Sequence, residues 1–329
     1  MNDDRLDDPL LHQYRREPDP RFARSLRERL RRAERRQGIS RPVMRALATA
    51  CAIGVVVALF AIPSVRVSAQ ALLDLFRVRR FAAVQFDEAR FKALRSADQD
   101  QGLLVFDRKE TIRDAGPPRY VPTRDAASPE AGFAVSEPSY LPEGLRADSM
   151  FIQGEGEMRF TVSEAKLRSL LDRLDVKGVT VPSGLDGHWV EVRKPAVVMQ
   201  KFRSKRRHAV LIQAKSPEVS IPAGWDVEQL GEIGLRALGL NSTEARRIAK
   251  ATDWRNTLLV PVPLDVTTFR QVTVQGNSGL LITTKGETGP DGNHREGTML
   301  MWTSGDRVYC LRGTLSAREV MLMAESLPS

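Results

Sequence analysis

The spacing of apolar residues changes character several times along the chain. Phe22, Leu26, Leu30 and Ala33 recur at intervals of four, four and three within an arginine-rich stretch. That period predicts an amphipathic helix over residues 19–37. Asp19 suits its cap, Pro20 its first position and Gly38 its stop. Ala46 to Val65 has no such period. It is twenty residues without a charge, with Thr49 and Ser64 as its polar side chains. As a helix it would be about 30 Å long, the thickness of a bilayer's hydrocarbon core.

Shorter patterns follow. Leu72, Leu75 and Phe76 have helical spacing, so the membrane helix is expected to continue outwards. Phe81 to Phe86 predicts a strand, Glu88 to Ala97 a helix and Leu103 to Phe106 a strand. Six prolines in residues 115–142 predict an extended linker. Ser149–Ile152 and Arg159–Val162 flank Gly154-Glu155-Gly156 as a hairpin. Thr161 to Glu164 has the spacing of a capping box ahead of a helix bearing Leu167, Leu170, Leu171 and Leu174. Val197–Phe202 and Ala209–Gln213 form a second hairpin. Helices are predicted at 227–238 and 242–251, then strands at 257–262, 269–275, 280–284 and 298–302. Turns at 276–279 and 304–306 support further hairpins, with Arg307–Leu311 pairing back. Ser316 to Glu319 is another capping box. It opens a last helix that buries Val320, Met323, Ala324 and Leu327.

Charge orients this plan. The chain carries a net charge of +9, but residues 1–45 hold 13 basic and 8 acidic side chains, and residues 66–329 hold 37 and 33. The excess sits ahead of the uncharged run, with ten arginines in residues 21–45 against four in residues 66–80. Basic flanks resist translocation, so the N-terminus is expected to be cytoplasmic. The nearly balanced remainder gives no reason to expect direct nucleic-acid binding. A competing reading is a leader cleaved near Ala69, where Val67-Ser68-Ala69 offers small residues. The run is longer than the core of a usual signal, which favours an anchor.

The chain thus predicts a cytoplasmic basic amphipathic segment at 1–45 and a single transmembrane helix at 46–65. A juxtamembrane α/β unit at 66–114, a proline-rich linker at 115–142 and an extracytoplasmic domain at 143–329 follow. The fold class is α+β, an antiparallel sheet of hairpins with several helices.

Candidate chemistry is sparse. His12, His188, His208 and His294 are scattered, Cys51 lies inside the run and Cys310 near the C-terminus, so no metal set or disulfide is predicted. Gly276-Asn277-Ser278-Gly279 lacks the spacing of a nucleophile elbow, and Gly154-Glu155-Gly156 precedes a strand where a phosphate loop needs a helix. No enzyme activity and no cofactor are expected. The Phe22, Leu26 and Leu30 stripe is a candidate partner-binding surface, for a protein groove or for the inner membrane. Arg203, Lys205, Arg206 and Arg207 at a hairpin tip form either a solvated turn or a contact for anionic headgroups or an envelope polymer. Trp189, Trp225, Trp254 and Trp302 could line a groove or pack in the core.

Local phrases add a resemblance. They are Pro18-Asp19-Pro20-Arg21-Phe22 opening an arginine-rich helix, Leu73 to Val78 beyond the run, Tyr140-Leu141-Pro142-Glu143-Gly144, and the spaced Trp302, Gly305, Tyr309, Leu311, Gly313, Ser316, Glu319, Ala324 and Leu327. With the layout, they resemble bacterial membrane-anchored regulators of the anti-sigma-factor type. The resemblance implies a cytoplasmic sigma factor or other regulator as partner, and an outer domain that senses or binds an envelope ligand. Residues 1–45 contain His12 and no cysteine, a departure from the zinc-type members. The alternative is an envelope binding or assembly module for a lipid, peptide or polymer, tethered to the inner membrane.

Overall fold

Residues 76, 78–86, 89, 105–263, 267–284 and 297–328 are described by a computed structural model. Contacts divide the chain at Cys51 and Ala52, and every described residue belongs to the second unit. The run 46–65, the stripe at Phe22, Leu26 and Leu30, and nearly all of the helix expected at 88–97 lie outside the described residues. Among the described residues, no helix is long and apolar enough to cross a membrane.

Fourteen strands and five helices are assigned in the described portion, an α+β fold. The strands are β1 (Arg80–Phe86), β2 (Phe106–Arg113), β3 (Arg119–Val121), β4 (Arg146–Gln153), β5 (Gly156–Val162), β6 (Trp189–Lys194) and β7 (Val197–Arg203). They continue as β8 (His208–Lys215), β9 (Glu218–Ser220), β10 (Thr257–Pro263), β11 (Thr267–Val274), β12 (Asn277–Thr284), β13 (Gly297–Ser304) and β14 (Arg307–Gly313). The helices are α1 (Arg124–Ala131), α2 (Glu164–Arg173), α3 (Val227–Ala237), α4 (Ser242–Ala251) and α5 (Ala317–Glu325).

An eight-stranded antiparallel sheet, ordered β11-β12-β13-β14-β8-β7-β4-β3, organises the domain. Alternation along its strands decides what each face meets. Leu281, Leu300, Trp302, Leu311 and Leu211 pack with Val320, Met323 and Leu327 of α5. Met150, Ile152, Val198 and Val121 pack with Ala127 and Ala131 of α1. The register aligns Leu311, Leu211, Gln200, Met150 and Val121 in one row, so α1 and α5 cover the same face. Leu280 and Ile282 point the other way, into a core shared with β1, β10, α2, α3 and α4. A four-stranded sheet, β2-β5-β6-β9, adds Phe160, Val190, Val192 and Val219 to that core.

Local signals held. β7–β8, β11–β12 and β13–β14 are antiparallel neighbours. Gln275 and Gly276 turn the second pair with φ of 48° and 79°, both left-handed. Ser316 and Glu319 form the reciprocal capping box. Burial alone would raise the Glu319 carboxyl. Hydrogen bonds from the Ser316 N–H and hydroxyl, and the Arg207 guanidinium at 2.5 Å, more than offset this and hold it below the usual carboxylate range. A lowered folded pKa contributes stability above the unfolded value and loses it as pH falls through the folded one. Glu319→Gln is therefore expected to cost about 1 kcal/mol at pH 7. The difference should shrink below about pH 4, as measured by urea midpoints at the two pH values.

Other expectations are corrected. Residues 115–142 are not a linker. They contain β3 and α1, which Thr123 caps and Gly132 ends in the left-handed region. Residues 133–140 then cross the sheet's covered face. The Gln213 side chain, fully buried, accepts from Ser136 N at 2.9 Å and donates to Ser136 O at 2.7 Å and Gln200 Oε1 at 2.9 Å. Ser139 N donates to Ser326 O beyond α5. The described part of 66–114 is not a separate unit, because β1 pairs with β10 and β2 with β5. The first of these pairs is parallel, an exception to the antiparallel expectation. The hairpin expected across Gly154-Glu155-Gly156 does not form: β4 belongs to the eight-stranded sheet and β5 to the four-stranded one. The chain changes sheets here against Ala115, whose Cβ would lie 3.1 Å from a Cβ at Gly156. The capping box expected at Thr161–Glu164 is replaced by a Ser163 cap, while the Glu164 carboxylate accepts from Gly184 N and Leu185 N.

Candidate functional site: the open face of the large sheet

The basic hairpin tip lies between β7 and β8. Ser204 builds the turn: its N–H donates to Arg207 O at 2.8 Å, and its hydroxyl accepts from Arg207 N at 2.9 Å. The four basic residues then differ in role. The half-buried Arg207 joins Glu319 and the Glu143 carbonyl, each at 2.5 Å, so its guanidinium ties the tip to α5 and the preceding loop. Arg203 stands 3.9 Å from Asp148. Lys205 and Arg206 are exposed at the apex. Of the four, Arg207 therefore serves the fold.

Arg203 also begins a surface that sequence reasoning missed. On the face opposite α1 and α5, register partners form rows across the strands. Tyr120, Phe151, Met199, Ile212, Cys310 and Met301 make one row. Its neighbour runs Ser149, Lys201, Val210 and Arg312. Met301 packs against the core shared with β1 and β10, as does Val308 nearby. Among the described residues, Phe151, Met199, Val210 and Ile212 belong to no core cluster and are half-buried, and Tyr120 is 60% exposed.

The face is polarised. Its basic side chains, Lys201, Arg203 and Arg312, lie toward the β7–β8 turn, and its apolar rows lie along the middle of the strands. Lys201 Nζ sits 4.3 Å from the centre of the Phe151 ring, and Tyr120 meets the same ring edge-on at 6.1 Å. Burial pushes the Lys201 amine down from its ordinary pKa, Arg203 adds to that, and Asp148 opposes it. An anion placed beside Lys201 and Arg203 would favour the charged amine and offset the repulsion from Arg203. The signal that could have revealed the face is in Val197-Val198-Met199 and Ala209-Val210-Leu211-Ile212. These are apolar at both parities, where a strand with one solvated face would alternate.

The tryptophans do not converge. Trp302 stacks on Tyr309 at 4.9 Å beneath α5. Trp225 and Trp254 are buried in the other core, donating to the carbonyls of Gly184 and Ala249. Trp189 lies under the Arg159 guanidinium at 4.4 Å. His188 lies in the loop before β6 and His208 begins β8, and His12 and His294 lie outside the described residues. Among the described residues, no group of His, Cys, Asp and Glu is placed to hold a metal ion.

No curated protein and no solved structure matches this chain. Residues 261–327 match a domain of unknown function, DUF4367. That span begins within β10 and takes in β11 to β14 and α5, half of the large sheet with the helix that covers it.

Proposed function

We propose that this chain is a single-pass protein of the bacterial inner membrane, a regulator of the anti-sigma-factor type. Its N-terminal segment lies in the cytoplasm and its α+β domain outside. The carrying observation is the order of parts: an arginine-rich amphipathic stretch, a twenty-residue uncharged run, then an α+β domain whose described residues begin at Phe76. In this reading the Phe22, Leu26 and Leu30 stripe docks on a sigma factor or another regulator, and events at the outer domain change that partner's availability. Capture of the N-terminally tagged full chain from detergent-solubilised membranes tests it. A stoichiometric sigma factor should co-purify and should be lost in Leu26→Asp, with the protein still in the membrane fraction. A short tagged fragment would instead mean cleavage near Ala69.

A second reading is favoured by the open sheet face. The outer domain is an envelope binding or assembly module, and residues 1–45 only position it. Exchange of those residues for an unrelated cytoplasmic leader would then preserve function. Under the regulatory reading the exchange abolishes it.

A further inference from the structure

We infer that the open face of the large sheet docks on the anionic surface of the membrane in which residues 46–65 are anchored. The inference rests on the proposed anchor and adds what the outer domain lies against.

Two features select a membrane as the occupant. The first is charge. Lys201, Arg203 and Arg312 share the face, Lys205 and Arg206 extend it at the turn, and Asp148 is the acidic group beside Arg203. Such a basic margin next to half-exposed apolar side chains suits the boundary between headgroups and acyl chains. Tyr120, at the β3 edge and 60% exposed, has the apolar ring and polar tip that this boundary favours. The second is reach. The anchor ends at Val65 and the described fold begins at Phe76. The intervening residues 66–75 span at most about 35 Å when fully extended. So short a tether holds the domain at high local concentration beside the bilayer, and weak contacts become sufficient.

The test uses the full chain, one copy per nanodisc, in phosphatidylcholine alone or with about 30% phosphatidylglycerol. In a Cys51→Ala, Cys310→Ala background, an environment-sensitive fluorophore is placed by Tyr120→Cys. A control carries it by Leu322→Cys on α5, which is 40% exposed on the covered side. Docking predicts quenching by headgroup spin-labelled lipid at position 120 and none at 322, in the anionic discs only. Lys201→Gln with Arg203→Gln should lower the docked fraction relative to the undocked about thirtyfold. Lys201→Arg with Arg203→Lys should retain it, which separates charge from misfolding. A chain that enters the discs with position 120 in water, or with equal quenching at 120 and 322, overturns docking and leaves the anchor standing. Pairing of labels at position 120 between chains in larger discs, without lipid quenching, assigns the face to a second copy and also overturns it. A chain that fails to enter the discs removes the anchor and the docking together.

Discussion

Trp302→Ala should destabilise the full-length protein by about 4 kcal/mol. Trp302 is 1% exposed, stacks nearly parallel on Tyr309 and packs in the core under α5. Truncation removes the largest side chain of that core and leaves a cavity between β13 and the helix. The surroundings cannot readily collapse, because β13 is paired on both sides, to β12 and β14. The effect should appear as a drop of roughly 10 °C in melting temperature. In urea it should appear as a lower midpoint at unchanged slope, followed by circular dichroism. A change below about 1 kcal/mol would mean that the α5 core is not part of the cooperative unit.

Gln213→Leu should cost about 3 kcal/mol. The substitution roughly preserves volume, so its effect isolates polar pairing. The Gln213 amide serves both the N–H and the carbonyl of Ser136, and it also donates to Gln200. Leucine would leave the Ser136 groups without this partner in a buried setting, where each unpaired group costs about 1–3 kcal/mol. Segment 133–140 should then loosen from the sheet, and amide exchange at Ser136 should accelerate along with the loss of stability. A stability loss with Ser136 still protected would contradict the role given to Gln213.

What the sequence disclosed follows the range of the interactions involved. β7–β8 and β13–β14 could be read directly because each turn lies within a few residues of both strands. The capping box at Ser316 is equally local. β2 escaped notice because Asp107 to Arg113 is exposed at nearly every position, so no apolar alternation marks it. α1 was hidden by the prolines around it and by Pro129 inside it. Gly154 to Gly156 has the composition of a hairpin, and the two sheets that recruit the strands on either side are assembled from distant segments. The open face was the least legible part. Its polarity exists only once Tyr120, Phe151, Lys201 and Ile212 are aligned by the register of four strands.

β1 gives this topology a temporal consequence. Its parallel partner β10 begins at Thr257, and Thr303 Oγ1 donates to Arg79 O across 224 residues. A chain synthesised from its N-terminus presents β1 early and its partners near the end. Until then β1 has its apolar side chains and edge uncovered. The hairpins of the large sheet can form as they emerge, but the domain closes only after its last portion arrives. Truncation ahead of residue 257 would leave β1 as an orphan strand, a form that proteases and chaperones can distinguish from the finished protein.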